Sequence, residues 1–287
     1  MSSLYLRLST LTGLTVRDLL RQNVLYLILI PAALTLLTLP LFTALTFEEQ
    51  IKFMRDFCYG TMSIFGLFLA IIATAQSLAN DLEQKTIFTI LAKPLNRWEY
   101  LLSKGMGIGL ILFFALIILT VLSAGLFAYQ EKGLLEAAIG NATDRLSSQD
   151  LQRFRDQLWN PALLMAVLIL YLKLILMVGF TLLFSTIASS SLFTIFTSLM
   201  IYLIGHFQST AREWVMGSEG LSVGMKWGVG LLAVILPDMS FYEGAERILL
   251  GATPGWSYLI PPLGYTFFNL LWILGLSTWI FESREFR

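Results

Sequence analysis

The 287-residue chain contains one cysteine and one histidine, and it is poor in charge. Cys58 alone excludes an internal disulfide. His206 alone argues against a histidine-based metal site and, with Cys58, against a Cys/His catalytic pair. Charged residues make up 13% of the chain, against roughly a quarter in an ordinary soluble domain. Nineteen basic residues balance nineteen acidic ones, so no global field recruits nucleic acid. No GxxxxGK[ST] phosphate loop occurs, which removes ATP hydrolysis by that route, and neither HExxH nor GxSxG is present. Acidic residues are nearly missing from the long apolar runs, which argues against a carboxylate proton relay. The paired broken helices of a repeated secondary transporter are also missing.

What the chain has in abundance is apolar length. It is 56% hydrophobic with a mean hydropathy of +0.74. Six runs reach the roughly 18 residues or more that cross hydrocarbon. The fold class is therefore all-α, a polytopic helical membrane protein with six transmembrane helices. The spans are expected near 23–46, 57–80, 105–129, 161–187, 191–206 and 258–281. Residues 1–22 interleave leucines with Arg7, Arg17, Asp18 and Arg21, which predicts an amphipathic helix in the membrane interface rather than a signal peptide. Thr15 is placed to cap a helix that begins near Val16. Residues 23–287 form the six-span domain. Pro31 and Pro40 predict a kink or a broken end in the first span.

The connections differ in character. Residues 47–56 read as a short charged loop. Gly105, Gly107 and Gly109 superficially suggest a nucleotide loop, but no strand precedes them and close helix packing is the better reading. Segment 130–158 is the longest polar stretch, with a short helix expected around Ser148–Trp159. An apolar run near 224–237 is too short to span and suits a re-entrant or interfacial segment. Lys173 lies near the middle of the fourth span. A lysine at that depth normally faces the bundle interior, as a pathway residue or as a member of an ion pair.

An even number of spans puts both ends on one side. With the termini and residues 81–104 inside, the inner segments carry Arg7, Arg17, Arg21, Lys85, Lys93, Arg97, Lys104, Arg284 and Arg287. An equal number of basic residues lies outside, in much longer segments. The density of positive charge favours cytoplasmic termini.

Residues 81–104 have more internal design than a simple loop. Ile87, Ile90 and Leu91 recur at i, i+3 and i+4, one face of a short helix. Pro94 ends that helix, because the residue before a proline is pushed out of the α region. Asn96 and Glu99 then form the two ends of a capping box, with Leu95 and Tyr100 at the staple positions. The result is helix, proline turn and new helix just outside the bilayer. It serves either as a docking surface for a partner protein or as a hairpin that reverses the chain at the membrane surface.

This stretch resembles the hallmark hairpin of ABC-transporter permeases of the type-2 export family. Glu83, Thr86, Ile87, Leu91, Pro94, Arg97, Glu99, Tyr100, Leu101, Ser103 and Lys104 occupy places of that pattern. Lys85 stands where the family often has glycine, and Ala92 where it often has serine. The N-terminal helix is similar to the family's elbow helix, and the six-span plan is similar throughout.

The resemblance implies a permease that pairs with a second permease half, expected as a homodimer, and with two copies of a separate ABC ATP-binding subunit. ATP and Mg would be bound by that subunit and no cofactor by this chain. Glu83, Thr86, Ile87, Ile90, Leu91, Pro94, Arg97 and Glu99 would make up the ATPase-coupling hairpin, with Glu83 and Arg97 paired to elbow charges such as Arg17, Asp18 or Arg21. The implied location is the lipid membrane on the cytoplasmic side of a bacterium, the inner membrane, with segments 130–158 and 207–256 offered to a periplasmic partner. The leading function is an ATP-driven export permease without its own ATP site. The alternative is a membrane anchor for an ATPase that does mechanical or assembly work. A polytopic membrane enzyme ranks third.

Overall fold

The computed structural model describes residues 2–41, 47–83, 96–140, 162–188, 190–217, 236–249 and 255–283, together with Gly224 and Gly228. Among these residues the regular secondary structure is entirely helical. Helix α1 (Ser2–Arg21) is followed by α2 (Asn23–Leu37) and a 3-10 turn at Leu39–Leu41. Helices α3 (Phe47–Glu83) and α4 (Arg97–Gly140) flank the hairpin. Then come α5 (Ala162–Ile187), α6 (Ser191–Gly217), a 3-10 turn at Met239–Tyr242, α7 (Gly244–Leu249) and α8 (Trp256–Ser283).

The six spans expected from hydropathy are present as six helices long and apolar enough to cross a membrane. Burial ranks them. The spanning windows of α3 and α5 are 61% and 56% buried and that of α4 is 44%, whereas α2, α6 and α8 reach only 22% each. The first two form the centre, and the last three form a rim that presents apolar faces outward. Helix α5 packs against α3, α4, α6, α7 and α8. In a bilayer this association rests on close fit, because lipid tails are as apolar as leucine. Gly66 provides such a fit, since a Cβ there would stand 2.7 Å from Leu174 Cδ1.

Helices α3 and α4 outreach the membrane by the most. At 1.5 Å per residue, the 37 residues of α3 and the 44 of α4 extend about 55 Å and about 66 Å. Hydrocarbon is only about 30 Å thick. The charged residues 47–56, expected as a loop, are the opening turns of α3. They contain no glycine or proline and are amphipathic as a helix, with Met54 and Cys58 buried and Lys52 and Asp56 exposed. Likewise α4 begins at Arg97 and continues past residue 129, and α6 runs to Gly217, carrying Arg212 and Glu213 in its last turns.

Helix α1 lies along α4. Its buried stripe is Thr12, Thr15 and Leu19, while Tyr5, Leu6, Leu14 and Leu20 are exposed. The expected cap at Thr15 is not one: the helix already began at Ser2, and the Thr15 hydroxyl donates to the Leu11 carbonyl at 3.1 Å. Mid-helix threonines satisfy themselves in this way. The crossing needs Gly107, where a Cβ would come within 2.7 Å of Thr15 Cβ. Pro31 is carried inside α2, and Pro40 falls in the 3-10 turn after that helix has ended.

Candidate functional site

Of the hairpin residues singled out from the sequence, Thr86, Ile87, Ile90, Leu91 and Pro94 lie outside the described residues, as does almost all of the 224–237 run and the expected helix at 148–159. Glu83 is the last residue of α3, and Arg97 is the first of α4. Asn96 immediately precedes α4. Its side-chain amide donates to Glu99 Oε1 at 3.2 Å, while the Glu99 backbone N–H donates to the Asn96 carbonyl at 3.0 Å. The two residues thus meet across the first turn, through a link between side chains rather than a carboxylate bond to the cap's own N–H. Glu99 is 2% exposed, and its Oε2 has no hydrogen-bond partner among the described residues.

Below this turn sits a buried polar network that ties three helices together. Lys104 Nζ on α4 pairs with Asp81 Oδ2 on α3 at 2.7 Å. It also donates to Ser77 Oγ at 2.8 Å and to the Ser77 carbonyl at 3.1 Å. The Tyr100 hydroxyl donates to the same Asp81 carboxylate. Arg97 donates to the backbone carbonyl of Phe281 near the end of α8, and its guanidinium lies 5.7 Å from the Phe281 ring centre. Tyr100 stacks on that ring at 6.1 Å with an interplanar angle of 16°. Leu78, Tyr100, Leu101 and Phe281 complete a small core cluster separate from the main one. The ammonium's donors all find acceptors, the condition under which a buried ion pair repays its desolvation. Arg97 therefore reaches α8 here.

Asp81, Ser77 and Phe281 were not candidates from the sequence, and Tyr100 and Lys104 entered only as matches to the hairpin pattern. A signal existed for one pair: Asp81 closes one apolar run and Lys104 opens the next, opposite charges facing across a reversal. Phe281 lies 184 residues from Arg97, and no local pattern could have joined them.

A second polar group lies deeper. Lys173 on α5 is 7% exposed. Its Nζ stands 3.2 Å from His206 Nε2 on α6, which is itself 3.0 Å from the Tyr202 hydroxyl. The ammonium also sits 5.1 Å from the Tyr202 ring centre. The carboxylates of Glu246 and Glu243, in and before α7, act on its charge from beyond ion-pair distance. The membrane-depth lysine thus meets the chain's sole histidine, a neighbour the sequence did not suggest.

Helix α7 is delivered to this position by an anchored segment. Asp238, 2% exposed, pairs with Arg212 Nη1 at 2.9 Å and accepts from the Ser240 N–H and hydroxyl at 3.0 Å and 2.6 Å. The Asp238 N–H donates to the Tyr265 hydroxyl at 2.7 Å, and Tyr265 stacks on Phe241 at 4.3 Å. Tyr242 and Thr266 share a hydrogen bond of 2.6 Å. Burial pushes the Tyr242 phenol well above its ordinary value, so it stays neutral at any physiological pH. Gly205 of α6 makes room for the segment, since a Cβ there would lie 2.6 Å from the Pro237 carbonyl.

Comparison with curated proteins returned no match. The family model described as "ABC-2 family transporter protein" matches residues 30–282, nearly the whole chain and all six spans from inside α2 to the end of α8. Members of such a family partner with an ABC ATP-binding subunit. With six membrane-crossing helices, an integral membrane location and this match, the chain belongs to the ABC-2 transporter family as a membrane-spanning permease component of an ABC transporter.

Proposed function

We propose that the chain is the permease half of an ATP-driven exporter in a bacterial cytoplasmic membrane, with both termini and the 81–104 hairpin on the cytoplasmic side. Two copies of a separate subunit bind ATP and Mg, and a second, identical permease half completes the assembly. Segments 130–158 and 207–256 face the other side, where a periplasmic partner would meet them. Glu83, Thr86, Ile87, Ile90, Leu91, Pro94, Arg97 and Glu99 form the surface through which nucleotide-driven closure is felt.

The observation that carries this reading is the network at the hairpin's foot. Asp81, Tyr100, Lys104, Arg97 and Phe281 tie α3, α4 and α8 together with buried, charge-assisted bonds. Such bonds are the strong ones. A load applied to the hairpin is then delivered to three spans as one body instead of being lost in side-chain rearrangement. Arg97 belongs to both ends of this chain of contacts, since it lies in the hairpin and reaches the last span.

The test is recovery of the tagged full chain from gently solubilised membranes, with and without Pro94→Ala and Arg97→Ala. Wild-type protein should bring down a nucleotide-binding subunit, and the variants should lose it while still inserting as monodisperse protein. Recovery of no ATPase with wild type would overturn the proposal. Retained ATPase binding with nucleotide hydrolysis that never responds to added transport substrates would instead indicate an anchor for mechanical work.

A further inference from the structure

At the end of α3 remote from the hairpin lies a half-open cavity of about 320 Å³, lined by α3, α4, α5 and α7. Its size falls within the ~300–1,000 Å³ typical of small-molecule sites. Cys58 on its wall precedes Asp81 by 23 positions along one helix, which puts the two about 35 Å apart. The cavity therefore sits near the bilayer face opposite the hairpin, where a lipid's polar head would meet its chains.

The chemistry of the lining is lopsided. Phe127, Leu249 and the opening turns of α5 make it apolar. Thr120 and Ser123 donate to carbonyls of their own helix, Leu116 at 2.7 Å and Thr120 at 2.8 Å, and so offer no spare proton. Arg55 is the single charged residue on the wall. Its Nε is buried and has no hydrogen-bond partner among the described residues. Asp56 acts on its charge from the next position, but it is exposed, and adjacent helix residues do not face one another. A mostly apolar space with one guanidinium, and Tyr59, on its wall at a headgroup depth has a defined complement: an acceptor anion attached to an apolar chain.

We propose that this cavity binds an anionic amphiphile, with a phosphate or carboxylate head on Arg55 and its apolar chain in the space lined by α3, α4 and α5. A membrane phospholipid and a free single-chain amphiphile carry the same chemistry. The site stands or falls without reference to transport.

The experiment uses the full chain in neutral maltoside micelles and reads bound dodecyl phosphate by native mass spectrometry. One dodecyl phosphate per chain should be retained, and Arg55→Gln should weaken that retention at least tenfold. Dodecyltrimethylammonium, with the same chain and the opposite charge, should not be retained. Ala124→Trp, which fills the cavity and leaves Arg55 in place, should also abolish retention, and it decides the matter alone if Arg55→Gln fails to fold. Displacement of dodecyl phosphate by dioleoyl phosphatidylglycerol assigns the site to a membrane lipid, and retention against it assigns the site to a free amphiphile. Equal retention of the anionic and cationic probes, or binding unchanged in both variants, would overturn the proposal.

Discussion

Two buried lysines of the membrane-spanning helices make a useful comparison. Lys104 and Lys173 are about equally buried, at 5% and 7% exposure. Lys104 has a carboxylate at 2.7 Å, a hydroxyl and a carbonyl within bonding distance, and an aromatic ring nearby. Lys173 has an imidazole nitrogen and a ring, with carboxylates only at longer range. The first site is a satisfied joint, in which polar burial fixes a geometry. The second has no carboxylate within ion-pair distance among the described residues, and a lysine so placed in a membrane span is a candidate for a functional role. The lysine nearest the hairpin is locked in a satisfied joint, and the one in the interior is not.

The largest expected effect comes from breaking the joint. Lys104→Ala takes the ammonium away from Asp81, whose side chain is 17% exposed and keeps the Tyr100 hydroxyl, so the loss should approach about 3 kcal/mol, the low end for removing one member of a buried pair. Denaturant titration of the full chain in micelles should show a loss of that size. The paired variant Lys104→Met with Asp81→Leu should recover most of it, because apolar replacements of similar volume leave no stranded charge. Recovery of stability without recovery of ATPase coupling would separate the network's role in force transmission from its role in holding the fold. A small loss on Lys104→Ala would mean that the joint is loose and that the contrast with Lys173 is not real.

Next in size is Arg97. Its hydrogen bond to the Phe281 carbonyl involves a charged donor, and such bonds contribute about 1.5–3 kcal/mol. Arg97→Ala should lose that amount in the same titration, and it should lose the nucleotide-binding subunit through which hydrolysis is coupled to transport. Arg97→Lys should restore part of the stability and little of the coupling, since a point charge does not reproduce a planar guanidinium set against Phe281. Restored coupling in Arg97→Lys would show that charge alone suffices and that the link to α8 is dispensable.

The sequence carried the frame more fully than the joints. Six apolar runs became six spanning helices, because hydrocarbon thickness dictates run length. Where the reading failed, it failed for a common reason. Hydropathy locates the part of a helix that sits in lipid, not where the helix stops. Residues 47–56 and the C-terminal half of α6 are charged yet helical, because a helix that leaves the membrane can keep its hydrogen bonds in water. Thr15 looked like a cap because capping residues are also good mid-helix self-bonders. The helix start after Asn96 was legible, since it depends on residues three apart. The Arg97–Phe281 and Lys173–His206 contacts were not, since each joins residues brought together only by the assembled bundle.

The smallest expected effect, and the sharpest division between the two lysines, comes from making the same substitution at both. Methionine matches lysine in length and removes the charge. At position 104 it removes the ammonium paired with Asp81, and stability should fall by the amount already given for Lys104→Ala. At position 173 no carboxylate lies within ion-pair distance among the described residues, so nothing comparable is stranded. The ammonium's desolvation is relieved, and His206 keeps Tyr202 as a partner. Lys173→Met should therefore leave stability within about 1 kcal/mol of wild type or raise it, as apolar replacement of buried charge often does. If the charge serves transport rather than the fold, its loss is read in function. The corresponding readout is transport-coupled hydrolysis, which should fall in Lys173→Met even though the fold does not weaken. A destabilisation as large as that of Lys104→Met would show instead that Lys173 is a second structural joint.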